Sequence, residues 1–199
     1  CALDNSIRSV GAFDQCQKVQ LLPSVSVLGD AGVASNMHPG SVASIFVKGD
    51  IVLLGWSDSS LHGVVARSTN GGVSFGAAVK PFGDVVSGSI TRKGFCSNED
   101  GSIIGFIAQQ HHGIVLSYDY GATWEGPFYI PDLPSNLIDS NQCAIPSTGH
   151  VLAGIDNYQP AGGEWNFVLI MRSSAAMVPG QSPTWTKTHT FEFGSVTSR

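Results

Sequence analysis

Ser68-Thr69-Asn70-Gly71-Gly72-Val73-Ser74-Phe75 and Ser117-Tyr118-Asp119-Tyr120-Gly121-Ala122-Thr123-Trp124 stand 49 residues apart and share one pattern, Ser-x-Asp/Asn-x-Gly-x-Ser/Thr-Phe/Trp. The pattern describes a turn that satisfies itself. The Asp or Asn side chain accepts backbone N–H groups, Gly supplies a backbone angle that other residues resist, and the hydroxyl residue bonds locally. The closing aromatic then packs the turn onto a sheet.

A second repeat runs in register with the first. Ile51-Val52-Leu53-Leu54-Gly55-Trp56 overlays Ser102-Ile103-Ile104-Gly105-Phe106 and His150-Val151-Leu152-Ala153-Gly154-Ile155, with glycines 50 and then 49 residues apart. Just upstream, Phe46, Cys96 and Cys143 fall at matching positions, which reads as an equivalent core-facing site in successive units. Short Val/Ile/Phe-rich runs alternate with Gly, Asn, Asp, Ser and Pro punctuation, and helical periodicity is hard to find. The chain is expected to be all-β.

The turn string resembles the Asp-box, or BNR repeat, of sialidase-type β-propellers. The second copy (Ser117, Asp119, Gly121, Thr123, Trp124) matches at every specified position, and the first (Ser68, Asn70, Gly72, Phe75) differs by Asn for Asp and Phe for Trp. The resemblance implies that the box joins the third and fourth strands of a blade, at the periphery and away from the ligand face. Arg172-Ser173-Ser174 with Thr184-Trp185 looks like a third box stretched by an insertion, and Asp30-Ala31-Gly32 keeps only its core.

At this repeat length the 199 residues hold about four four-stranded blades of one propeller domain. The C-terminal Phe193–Arg199 resembles a strand that opens a blade, and Cys1–Ile7 resembles the segment next after such a strand. One blade shared by the N- and C-terminal strands would leave no long open edge. Blades are then expected near 1–40 plus 190–199, 41–86, 87–134 and 135–189. Exchange of that strand between copies, giving a ring or trimer instead of a monomer, is the alternative.

Composition narrows the functional classes. Only 13% of residues are charged, the net charge is −5, and no basic cluster occurs, so nucleic acid is not an expected partner. Apolar runs are far shorter than a membrane helix requires, so no membrane insertion is expected, and no Lys/Arg-led apolar leader opens the chain. Position 1 is Cys, as in a processed product, an excised fragment or one part of a longer protein. Cys1, Cys16, Cys96 and Cys143 lack metal-ligand spacing and read as buried free thiols; a pair among them would imply an oxidising compartment.

On a propeller, loops joining the second and third strands of each blade make the ligand face. Trp56 to His62, Gln109-Gln110-His111-His112, and Asp156-Asn157-Tyr158 through Glu164-Trp165-Asn166 fall there, with Phe13-Asp14-Gln15 as a fourth. Rings beside amides, carboxylates and imidazoles suit sugars, so Trp56, Asp58, His62, Gln110, His111, Asp156, Tyr158 and Trp165 are the expected ligand contacts. The polarity of exposed loops explains the same residues more blandly.

The sialidase resemblance also implies an arginine triad, a Tyr nucleophile assisted by Glu, and an Asp acid/base. Five arginines are present, of which Arg67 and Arg172 precede box positions and Arg199 is terminal, leaving too few for the triad. Asp58, Asp156 and Glu164 are the candidates for a two-carboxylate glycosidase site. Adjacent histidines point to opposite faces of a strand, so His111-His112 predicts no metal, and no cofactor is expected. The leading expectation is a non-catalytic propeller that binds a cell-surface glycan, placed outside the cell or on a virion. A sialidase-like hydrolase or lyase with a reduced site is the enzyme alternative, and a protein-binding scaffold the third.

Overall fold

The computed structural model describes residues 44–84, 94–108, 113–131, 141–159 and 164–192, and among these there is no helix. Eleven strands form three antiparallel sheets in chain order. The first contains β1 (Ser44–Lys48), β2 (Ile51–Ser57) and β3 (Gly63–Ser68), and a single bridge from Val65 to Val79 adds a rudimentary fourth member. The second contains β4 (Gly94–Ser97), β5 (Ile104–Ala108), β6 (Gly113–Ser117) and β7 (Glu125–Tyr129). The third contains β8 (Asn141–Ala144), β9 (Leu152–Gln159), β10 (Glu164–Ser173) and β11 (Trp185–Glu192).

Each sheet is a meander in which every strand pairs with the next, as short connections between antiparallel strands require. The first strands of successive sheets touch, β1 on β4 and β4 on β8. Stacking explains the unbroken apolar runs. One face of the second sheet presents Ile104, Phe106 and Val115 to Leu53, Val65 and Phe82. Its other face presents Ile107, Ile114, Leu116 and Cys96 to Ala153, Met171, Ile145, Val151 and Met177. A strand buried on both faces has no solvent side to alternate toward, which is why all five residues of β6 are buried. Each fully buried Ile, Leu or Phe contributes about 1.5–3 kcal/mol.

Two of the recurring glycines of the second strands, Gly55 and Gly105, make room for these contacts. A Cβ on Gly55 would lie 2.7 Å from the ring of Phe106, which sits 4.7 Å from Phe95 between ring centroids. At Gly105 it would lie 2.8 Å from Cys96 Sγ and 2.9 Å from Ile114 Cδ1.

Three sequence-based expectations need correction here. Cys96 and Cys143 are not free thiols: they form a disulfide between β4 and β8, with Cα atoms 5.5 Å apart. Nor are Phe46, Cys96 and Cys143 equivalent to one another: Cys96 stands opposite Gly105 itself, Cys143 opposite Ala153, one residue before Gly154, and Phe46 opposite Leu53, two before Gly55. The hairpins differ in length, two residues after β1 against longer connections after β4 and β8, so equal sequence offsets do not give equal ladder positions. Residues 190–192 continue β11, with Glu192 opposite Phe167, so the third sheet extends past the expected boundary at 189. Residues 1–43 and 193–199, with the expected N-terminal blade, Phe13-Asp14-Gln15 and the Asp30 echo, lie outside the described residues.

Candidate functional site

The two repeated turns adopt the same arrangement and differ in one bond, which Asn70 Nδ2 donates to Ser74 Oγ and Asp119 Oδ2 accepts from Thr123 Oγ1. In the first, Ser68 Oγ donates to Asn70 Oδ1 at 2.8 Å and accepts from Gly72 N at 2.9 Å, while Ser74 N donates to Asn70 Oδ1 at 2.9 Å. In the second, Ser117 Oγ donates to Asp119 Oδ1 at 2.9 Å and accepts from Gly121 N at 2.7 Å, while Thr123 N donates to Asp119 Oδ1 at 2.8 Å. Gly72 and Gly121 take φ of 86° and 81°, where a side chain would be strained. Burial raises the Asp119 carboxyl, but hydrogen bonds from Thr123, Ser117 and Ala122 outweigh it and leave the group below the usual carboxylate range.

Each box leaves a third strand, β3 or β6, and leads toward a fourth member of the sheet, the Val79 bridge or β7. Phe75 closes the first into a core with Val52, Trp56, Val64 and Ala66, and Trp124 closes the second against Phe95 and Phe106. The stretched third copy also spans a third-to-fourth connection, β10 to β11, but bonds differently. Ser173 Oγ accepts from Val151 N and donates to Ala175 O, and Ser174 and Thr184 close the insertion through their hydroxyls. That insertion lines a cavity of about 70 Å³, too small for a sugar ring.

The opposite end of the sheets carries the connections between second and third strands, and there the β2–β3 loop is fully described. Asp58 Oδ1 accepts the backbone N–H groups of Ser60 at 2.9 Å and His62 at 2.8 Å, and Oδ2 meets His62 Nδ1 at 2.9 Å. Leu61 takes a φ of 66° inside this five-residue closure. Burial pushes the Asp58 carboxyl up, yet the bonds and charge of His62 and the Ser60 N–H hold it below its ordinary value. With both oxygens engaged and the acid form disfavoured, Asp58 shapes a loop and is poorly suited to donate a proton. Lys80 and Asp84 form an exposed ion pair at 2.9 Å within electrostatic reach of Asp58 and His62. Sequence reading does not single them out, since only the packing of Phe82 beside Gly63 brings their turn to this end.

Trp56 is also displaced from its expected role. It is 4% exposed and belongs to the core cluster of Val52, Val64, Ala66 and Phe75, so it offers no face for a sugar to stack on. Asp156 and Tyr158 lie on β9, opposite Val168 and Trp165 of β10, and Glu164 stands opposite Gln159. The expected loop is therefore two paired strands whose connection lies at 160–163. The structure describes only the backbone of Asp156, Tyr158, Glu164 and Trp165. Gln109, Gln110, His111 and His112 lie outside the described residues, in the β5–β6 connection. Tyr129, which the sequence reading passes over, ends β7 opposite Gly113 at that same end, with its half-exposed ring against the glycine.

Tyr118 lies within electrostatic reach of Glu125, but burial and the Glu125 charge push the Tyr118 hydroxyl up to about 12, the wrong direction for a nucleophile. Arg67 Nε donates to the Tyr120 carbonyl at 2.8 Å, bridging the two boxes. No three His, Cys, Asp or Glu side chains converge on a metal site among the described residues.

No family model matches the chain. It is similar to a polyamine aminopropyltransferase of Clostridium tetani (strain Massachusetts / E88), 27% identical over 161 residues that cover 79% of this chain and 48% of the relative. The chain thus spans about half the length of that curated relative.

Proposed function

We propose that this chain is an Asp-box β-propeller of the sialidase type that binds a cell-surface glycan without cleaving it. The observation that carries the reading is the duplicated box, whose Ser-to-Asx, Gly-to-Ser and hydroxyl-residue N–H bonds recur at the same junction in two successive sheets. The contact of β1 with β4 and of β4 with β8 supports a radial order of blades. Two side chains fit catalytic roles poorly: burial and the Glu125 charge push the Tyr118 hydroxyl up, and Asp58 is committed to its loop. The ligand face is then the end that carries His62 and the β9–β10 connection beside Tyr158 and Trp165. The Cys96–Cys143 bond fits an oxidising, extracellular or virion-surface setting.

A glycan-array screen run beside a fluorogenic glycosidase panel tests this, comparing wild type with Tyr158→Ala and Trp165→Ala. Saturable binding without turnover, lost in either variant while the thermal transition is kept, is the expected result. Turnover of any glycoside, or no binding across the array, would sink the reading.

A further inference from the structure

Asn70-Gly71 is the one Asn-Gly pair in the sequence, and it lies in the exposed part of the first box. Asn followed by Gly is chemically the pairing most open to cyclisation, because no Cβ shields the attacking nitrogen. In deamidation the Gly71 nitrogen gives its proton to solvent base and bonds to Asn70 Cγ. The Cγ–Nδ2 bond breaks and ammonia leaves. Water then opens the succinimide at either carbonyl, giving Asp or isoaspartate. The net change is one water consumed and one ammonia released, with no oxidation or reduction.

We infer that Asn70 is a latent deamidation site that the folded box keeps shut. The attacking nitrogen and both polar atoms of the carboxamide are engaged elsewhere. Gly71 N donates to the Asp50 carbonyl at 2.8 Å, so its proton is engaged. The carboxamide is clamped on the other side. Oδ1 takes Ser68 Oγ at 2.8 Å and Ser74 N at 2.9 Å, and Nδ2 donates to Ser74 Oγ at 2.9 Å. Cyclisation must break several of these bonds together, so it belongs to states in which the β3 end has opened.

The two products differ in consequence. Asp at position 70 rebuilds the second box, where Asp119 Oδ2 takes the hydroxyl of Thr123 at 2.6 Å; Ser74 would donate in the same way. Isoaspartate inserts a methylene into the backbone between Ser68 and Gly72, and the Ser68 Oγ bond to Gly72 N cannot then keep its geometry.

The experiment incubates the purified protein at mildly alkaline pH, folded and in denaturant. The 70–71 peptide is followed by mass mapping and by isoaspartyl methyl-transferase labelling. The folded protein is expected to deamidate at Asn70 more slowly by a factor of roughly ten or more, since the hydrogen bonds that hold Asn70 and Gly71 must open first. Ser74→Ala, which removes one clamp and leaves the core untouched, is expected to move the folded rate toward the unfolded one. An Asn70→Asp variant should keep the wild-type thermal transition. Equal rates in the folded and unfolded chains, or a Ser74→Ala rate unchanged from wild type, would overturn the inference.

Discussion

Asp119 and Asn70 occupy the same place in their turns, and the comparison isolates what the charge does. Asp119 is more acidic folded than unfolded, because hydrogen bonds to its ionised form outweigh burial. Such a group adds stability that is fully present above its unfolded value and is lost as pH falls through its lower folded value. Asp119→Asn is expected to fold, since Asn70 shows that the amide fits, to lose about 1 kcal/mol near neutral pH as charged bonds become neutral ones, and to show a shallower loss on acidification. Denaturant titrations of both proteins from neutral to strongly acidic pH measure this; parallel acid limbs would contradict it. Trp56→Ala tests the reassignment of that ring to the core. A loss of about 3–5 kcal/mol is expected in chemical denaturation. A variant of unchanged stability would return Trp56 to the surface.

Among elements, the second strands β2, β5 and β9 carry Gly55, Gly105 and Gly154 at matched sequence positions, yet their surroundings differ. A Cβ would press into Phe106 at Gly55 and into Cys96 and Ile114 at Gly105, whereas at Gly154 its nearest neighbour is Gln142 O at 3.9 Å. Gly55→Ala and Gly105→Ala are expected to cost about 1–3 kcal/mol each through overpacking, and Gly154→Ala to be tolerated. Thermal melts of the three variants would separate them; uniform effects would show that the glycines serve the strand conformation and not the sheet interface. The hairpins explain why alignment misplaced Phe46. Two residues turn β1 into β2, but Asn98–Ile103 needs its own bonds, Asn98 Oδ1 from Ile103 N and Asp100 Oδ1 from Ser102, to close the wider loop. Strand existence was legible because apolar runs are local. Register depended on loop lengths that repeat arithmetic does not see.

At the scale of the molecule, the disulfide ties the first strand of the second sheet to that of the third across a sequence separation of 47. It is expected to contribute about 2–4 kcal/mol, so reductant should lower the denaturation midpoint, and mass mapping of the oxidised chain should recover Cys96 joined to Cys143. An unchanged midpoint would mean that the packing of Ile114, Leu116 and Val151 holds the two sheets together unaided. The sequence by itself determined the all-β class, the repeat near 49 residues and the two box turns, because hydrophobic runs and Asx-type turns are written within a few neighbouring residues. The tertiary structure alone decided that Cys96 meets Cys143, that Trp56 is core, and that Asp58 is spent on His62 and its own loop. Those outcomes rest on which faces of separate sheets come together, and residues distant along the chain carry no local mark of it.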